Sequence, residues 1–318
     1  MSIGFFLLRT ATTFGLLSAL LCGTATPTVA QGNVLKSLSG SARRQLRKGQ
    51  YANLLPEVEQ RLRYDSLNAD LWALRAECHL NENTESHAAI ALADLNKALR
   101  LQPNTWAYLA DRGFANSQTF RHAESVADLS AALQQTPADA SLLYLRGYGQ
   151  FSTNHLSEAI ADFTQASALA PREKDYAIWL AIAHMVAGRD SEAFRICNTL
   201  IQNHKDYSLA YGNRALVRLN LNDPVGARQD LGRVAPDSST QLVSAVLYQK
   251  AGQAAEAQQL FDELQTQAKD KASFFFERGD VYLQLGDIPA AEADWKRAAQ
   301  LGNREAATRL AAGFKPRP

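Results

Sequence analysis

The chain has 318 residues, 46% hydrophobic, 20% charged and only 8% aromatic, which admits one long or two ordinary domains. Lysine and arginine total 33 against 32 acidic residues, and this balance excludes the uniform basic footprint of a nucleic-acid binder. Residues 1–30 stand apart from the rest of the chain, with Arg9 as their one charged side chain. The run Phe14–Leu21 has the length of a signal-peptide core and is too short to span a membrane. Thr28-Val29-Ala30 then places small residues where signal peptidase reads, ahead of Gln31. These features predict a secreted or periplasmic protein. Two alternatives stay open: a lipoprotein anchored through Cys22, although Leu21 before it is not small, or an uncleaved anchor. After cleavage, Cys78 and Cys197 remain. They fall in different repeats and are expected to be buried structural thiols rather than a bridge.

From about residue 35 the sequence repeats itself. The stretch Ala140–Pro171 shows the unit most clearly. Leu143, Gly147 and Phe151 share one stripe of a predicted helix, and Ala159, Phe163 and Ala166 share one stripe of a second. Thr153 and Asn154 lie between them as turn residues, and Pro171 ends the unit because it cannot continue a helix. Pro103, Pro137 and Pro171 are 34 residues apart, Lys205 takes the next place, and Lys269 and Asn303 resume the interval. Gly113, Gly147, Ala215 and Gly279 fill a small place in the first helix. Ala91, Ala159, Ala193, Ala227, Ala257 and Ala291 fill one in the second. Leu95, Leu129, Phe163, Leu231, Phe261 and Trp295 follow four residues later as the large side chain. Small residues facing each other predict close helix approach.

A helix-turn-helix unit of 34 residues with this small–large pattern, and Trp72 in a first helix, resembles the tetratricopeptide repeat. The resemblance implies an all-α, right-handed α-solenoid of about eight repeats, in units near 35–68, 69–105, 106–139, 140–173, 174–207, 208–237, 238–271 and 272–305. A capping helix over Glu305–Phe314 and a loose tail, within 306–318, would cover the open apolar end. The first unit is degenerate, with Gly49-Gln50-Tyr51 at its turn but Ser66 in the proline place. Three extra residues within Asn81–Ser86 read as loop slack or a recognition loop. The sixth unit is short around Ala235–Ser238, with Pro236 ending its second helix early. Asp223-Pro224 and Asp287-Ile288-Pro289 read as helix starts.

One charged pattern recurs. Arg75, Arg112, Arg146, Arg214 and Arg278 occupy one place in the first helix, and Asp94, Asp128, Asp162, Asp230 and Asp294 one place in the second. In the fifth and seventh units both partners are absent together, leaving Leu180 with Ile196 and Ser244 with Leu260. Paired losses predict structural ion pairs between the helices of a hairpin rather than a row of ligand-binding arginines. The six histidines form no HExxH or comparable metal-ligand spacing; His122 and His155 fall at turns, and His79 and His184 at a packing position. No nucleophile elbow, phosphate loop or CxxC is present. The expectation is a non-enzymatic chain without cofactor or metal.

The resemblance implies a scaffold that binds a peptide or protein along a groove lined by first helices. A structural component of an envelope assembly, packing through its outer surface, is the alternative. The carboxylate clamp of one well-known subfamily is not matched, since Asn213 has Ile178 and Ile182 before it where that clamp needs Lys and Asn. Aromatic and branched residues of the middle units make the candidate groove: Phe114, then Tyr144, Tyr148 and Phe151, then Ile178, Trp179 and Ile182, beside Asp111 and Asp175. Such a patch suits an apolar segment carrying a basic group; the alternative is that these side chains fill space between successive first helices.

Overall fold

A computed structural model describes residues 38–311, apart from 83, 235–237, 269, 285 and 286. The leader with Cys22 and Ala30, the first unit's start at Leu35, Pro236 and the Lys315–Pro318 tail lie outside the described residues. The described residues form seventeen helices and no strand, in two bodies that divide after Arg172. The first body holds α1 (Gly40–Arg47), α2 (Tyr51–Tyr64), α3 (Ala69–Leu80), α4 (Glu85–Leu101), α5 (Trp106–Gln118), α6 (His122–Gln135), α7 (Ala140–Ser152) and α8 (Leu156–Leu169). The second holds α9 (Lys174–Val186), α10 (Asp190–Asn203), α11 (Ser208–Asn220), α12 (Pro224–Leu231), α13 (Ser238–Lys250), α14 (Ala254–Gln267), α15 (Lys271–Gln284), α16 (Ile288–Gln300) and α17 (Arg304–Ala311). Within each body every helix packs on its neighbour in sequence, and the odd-numbered helices from α3 to α15 also touch the next odd-numbered one of their body.

The turns follow from backbone sterics. Asn154 sits at φ +65° between α7 and α8, and Gly188 and Asn222 take the same left-handed conformation at successive 34-residue intervals, as residues without a Cβ penalty or with a short polar side chain can. Phe120 holds the equivalent place at φ +59° although it is bulky and 57% exposed. Helix starts are capped by side chains: Asp139 accepts from the Ser141 and Leu142 amides, Asp223 from Gly226 ahead of α12, and Asp287 from Ala290 ahead of α16. The three extra residues near Asn81–Ser86 do not make a loop. They lengthen the second helix at its start: α4 has 17 residues where α6 and α8 have 14, with Thr84 accepting from the His87 amide.

Close approach explains the small places. A Cβ on Gly147 would lie 2.9 Å from a ring carbon of Phe163, and one on Gly279 would lie 2.6 Å from the Trp295 indole. Ala159 and Phe163 are fully buried at the same seam. At the other end of the second body, Ala306 of α17 is fully buried and Leu310 packs against the core of the last hairpins.

All five Arg–Asp pairs are bidentate. In each, Nε and Nη2 of the arginine donate to the two oxygens of one carboxylate over 2.5–2.8 Å. The aspartate side chains are at most 10% exposed. Three arginines do more. Nη1 of Arg112 donates to Asn96 at 2.9 Å, that of Arg146 to Ser130 at 3.5 Å, and that of Arg214 to Asn198 at 2.6 Å. Asn96, Ser130 and Asn198 lie on the second helix of the preceding hairpin, so one guanidinium fastens its own hairpin and the joint to the one before.

Two measurements check this account. Arg146→Ala leaves Asp162 buried without its partner, and a cost of about 1–3 kcal/mol in chemical denaturation is expected. Asp162→Ala in the same background adds little, because the interaction is already gone; simple additivity of the two losses would refute the pairing. The second concerns pH. His79 is depressed below its ordinary value by burial, against the opposing charge of Asp94, and His184 by burial reinforced by Arg189. Neither Nδ1 has a hydrogen-bond partner among the described residues. The folded state thus favours the neutral rings, so their contribution is complete above the ordinary imidazole value and is lost as pH falls through it and then through the depressed folded value. The double variant His79→Phe, His184→Phe is expected to lose less stability than the parent between neutral and mildly acidic pH. Asp280, raised to about 6 chiefly by burial, acts in the opposite sense there, and comparing parent with variant cancels it.

Candidate partner-binding surface

The candidate groove residues divide between the two bodies. In the first, Phe114 lies on α5, and Tyr144, Tyr148 and Phe151 on α7; in the second, Ile178, Trp179 and Ile182 share α9. Six of these seven are buried, and Tyr148 is half-buried. Tyr144 packs against Phe163 of its own hairpin, ring centroids 5.8 Å apart, and Tyr148 meets the edge of His122 at 5.9 Å. These two aromatic rings therefore have packing duties whatever else they contact.

The two acidic neighbours differ. Asp175 accepts a hydrogen bond from the Tyr207 hydroxyl at 2.9 Å, and the Lys174 ammonium lies 4.4 Å from the same tyrosine ring. Asp70 takes a tyrosine hydroxyl in the same way, from Tyr108. Such bonds tie the start of one first helix to the next repeat. They were not legible in the sequence, because tyrosine follows aspartate by 38 residues in one case and 32 in the other. Asp111 has no hydrogen bond or ion pair among the described residues. Burial pushes its carboxyl well above the ordinary carboxylate range, and the charge of Glu77 pushes it further. Glu77 itself accepts from the Tyr51 hydroxyl at 2.9 Å. A half-buried acid near a like charge is the arrangement that an incoming cation relieves.

Other chemistry is thinly represented. Cys78 and Cys197 are free and buried, the Cys197 thiol pushed up to about 12 and Cys78 upward as well, both chiefly by burial, so neither is poised as a thiolate. Asn213 is buried and its amide donates to the Leu209 carbonyl of its own helix at 2.8 Å. Among the described residues, no group of three or more His, Cys, Asp or Glu is placed to hold a metal ion, and no helix is long and apolar enough to cross a membrane.

The large apolar side chains that are open to solvent lie elsewhere. Tyr64, Leu67, Phe120, Leu221 and Val225 are all exposed, and each falls in a turn, in a loop or at a helix end.

The tetratricopeptide repeat family model matches residues 144–208 and 242–310. Several solved structures share the fold. A tetratricopeptide repeat protein from Parabacteroides merdae is 16% identical with a TM-score of 0.60, over 74% of this chain and 94% of that one. Yeast Tom70 is 14% identical with a TM-score of 0.57, over 93% of this chain and 68% of its own. YrrB, described as having an unusual peptide-binding site, is 14% identical with a TM-score of 0.50, over 63% of this chain and 97% of its own. No curated protein sequence matches the chain. Stacked helix hairpins run through both bodies, and residues 144–208 and 242–310 of the chain are matched as tetratricopeptide repeats.

Proposed function

We propose that the chain is an exported, non-enzymatic scaffold that holds a peptide or protein segment on the first helices of its repeats, with a basic group of that segment at Asp111. Tetratricopeptide repeat proteins are typically interaction scaffolds, and the observation that carries the site is the half-buried Asp111 carboxyl, which has no hydrogen bond or ion pair among the described residues and has Glu77 as a like charge. Of the neighbouring aromatic residues, half-buried Tyr148 of α7 is the one that offers apolar surface to the rest of the segment.

Asp111 is also the residue that separates binding from folding. Truncating a buried aromatic such as Trp179 to alanine costs about 3–5 kcal/mol, so its loss of function would be hard to interpret. Asp111→Asn removes a half-buried charge near Glu77, and its melting temperature is expected to hold or rise. Asp111→Lys is expected to abolish capture of the partner identified by affinity purification of the mature chain and mass spectrometry. If that partner is retained by Asp111→Lys with unchanged helical content, the site lies elsewhere.

A second reading rests on the exposed apolar residues. Assembly through the turn edge would use Phe120, which bears left-handed backbone strain at a solvated position. Capture lost in Phe120→Asn but retained in Asp111→Lys would favour that reading.

Export rests on the sequence alone. Cleavage after Ala30 should give a secreted chain whose intact mass begins at Gln31. A lipid-modified Cys22 at the mature N-terminus would replace this account with anchoring.

A further inference from the structure

The last hairpin contains a site of different chemistry from the Asp111 surface. Arg309 of α17 lies with its guanidinium 4.7 Å from the centroid of the Phe276 ring and 5.4 Å from that of Trp295. Its Nη1 donates to Asp280, and its Nη2 to Glu305 at 3.4 Å. The Trp295 indole N–H donates to the same Asp280 oxygen at 3.0 Å and lies 3.3 Å from the Phe276 carbonyl, which orients the carboxylate. Two aromatic faces and an oriented carboxylate fit a planar guanidinium better than an ammonium. Arg309 does not belong to the recurring arginine series: 34 residues beyond Arg278 stands Ala312.

The helix that delivers this arginine is short. α17 has eight residues, a length that does not sustain a helix in water without docking. It is held by buried Ala306, by half-buried Leu310 and by a cap in which Asn303 accepts from the Ala306 amide at 2.9 Å. Gly302, at φ +96°, turns the chain into it. An eight-residue helix docked chiefly on α16 lies toward the low end of local stability.

We infer that Phe276, Asp280 and Trp295 form a receptor for an arginine side chain, filled by Arg309 in the closed chain and opened to an arginine-bearing segment of a partner protein when α17 lifts. The receptor lies wholly within the second body and does not depend on the Asp111 proposal. Because Arg309 is tethered, it competes at high effective concentration, and the resting chain binds such segments weakly.

The test uses the mature full-length chain and a fluorescently labelled, end-blocked peptide of Asn303–Ala311, read by anisotropy. Arg309→Ala is expected to bind this peptide about ten-fold more tightly than the parent, since the competing side chain is gone. Adding Asp280→Asn to that variant should reverse the gain, and the same peptide with alanine in place of Arg309 should not bind, Arg304 being kept in both peptides. Arg309→Lys keeps the charge and loses the planar stack, so its affinity for the peptide should fall between the two; it also serves if Arg309→Ala loses helical content. Equal binding by parent and Arg309→Ala, or equal binding of the peptide with alanine at 309, would overturn the receptor.

Discussion

The Arg–Asp fork is the interaction on which the repeat most depends. A hairpin of two short helices buries too little surface to be stable alone, and its neighbours supply the remainder. The small residues at Gly147 and Ala159 bring the helices close enough for Phe163 to fill the seam, yet apolar contact alone leaves the helices free to slide. A bidentate pair such as Arg146–Asp162 fixes one height along both helices. The third nitrogen, reaching Ser130, carries that register to the preceding hairpin. Burial of the aspartate makes the arrangement demanding: the carboxylate is tolerated because both of its oxygens are bonded. Where the arginine is absent, as at Leu180, the aspartate place holds Ile196, and the unit avoids a buried charge by having neither.

Much of this was legible in sequence because the repeat superimposes the same place several times. Gly147 alone is ambiguous; in company with Gly113 and Gly279 it marks a seam. The same comparison exposed the ion pairs through their joint absence. What it could not reach were contacts without a fixed interval. The Tyr207–Asp175 bond and its counterpart from Tyr108 to Asp70 join successive repeats at unequal spacings, so no register reveals them. The polar place of Asn96, Ser130 and Asn198 does keep register, but the change from asparagine to serine and back disguises it. The extra residues near Thr84 illustrate another limit: polarity suggested a loop, whereas a capping threonine extended the helix.

The candidate groove was the least legible feature. Periodicity identifies residues on one face of a first helix, but an aromatic residue there can meet a partner or a neighbouring helix, and composition does not distinguish the two. Tyr144 against Phe163 and Tyr148 against His122 show side chains of the patch already engaged in packing. Charge discriminates better than hydrophobicity in this setting, because an apolar side chain loses nothing by being covered whereas a covered carboxylate without a partner raises the energy of the fold.

The acids of this protein can be compared on that basis. The ladder aspartates each receive an arginine fork. Asp280 is raised to about 6 by burial, and Arg309 and the Trp295 N–H act against that rise. Asp111 is raised by burial too, and the charge of Glu77 pushes in the same direction. Among the described residues Asp111 has no such answer, on a first helix beside Phe114; Glu277 is likewise raised by burial and by the charge of Asp270. Replacing Asp111 with leucine, the residue at the equivalent place in the next unit (Leu145), would remove the cost without disturbing the period. The fold does not require an acid there, and under the proposed function Asp111 meets a positive charge of the bound segment.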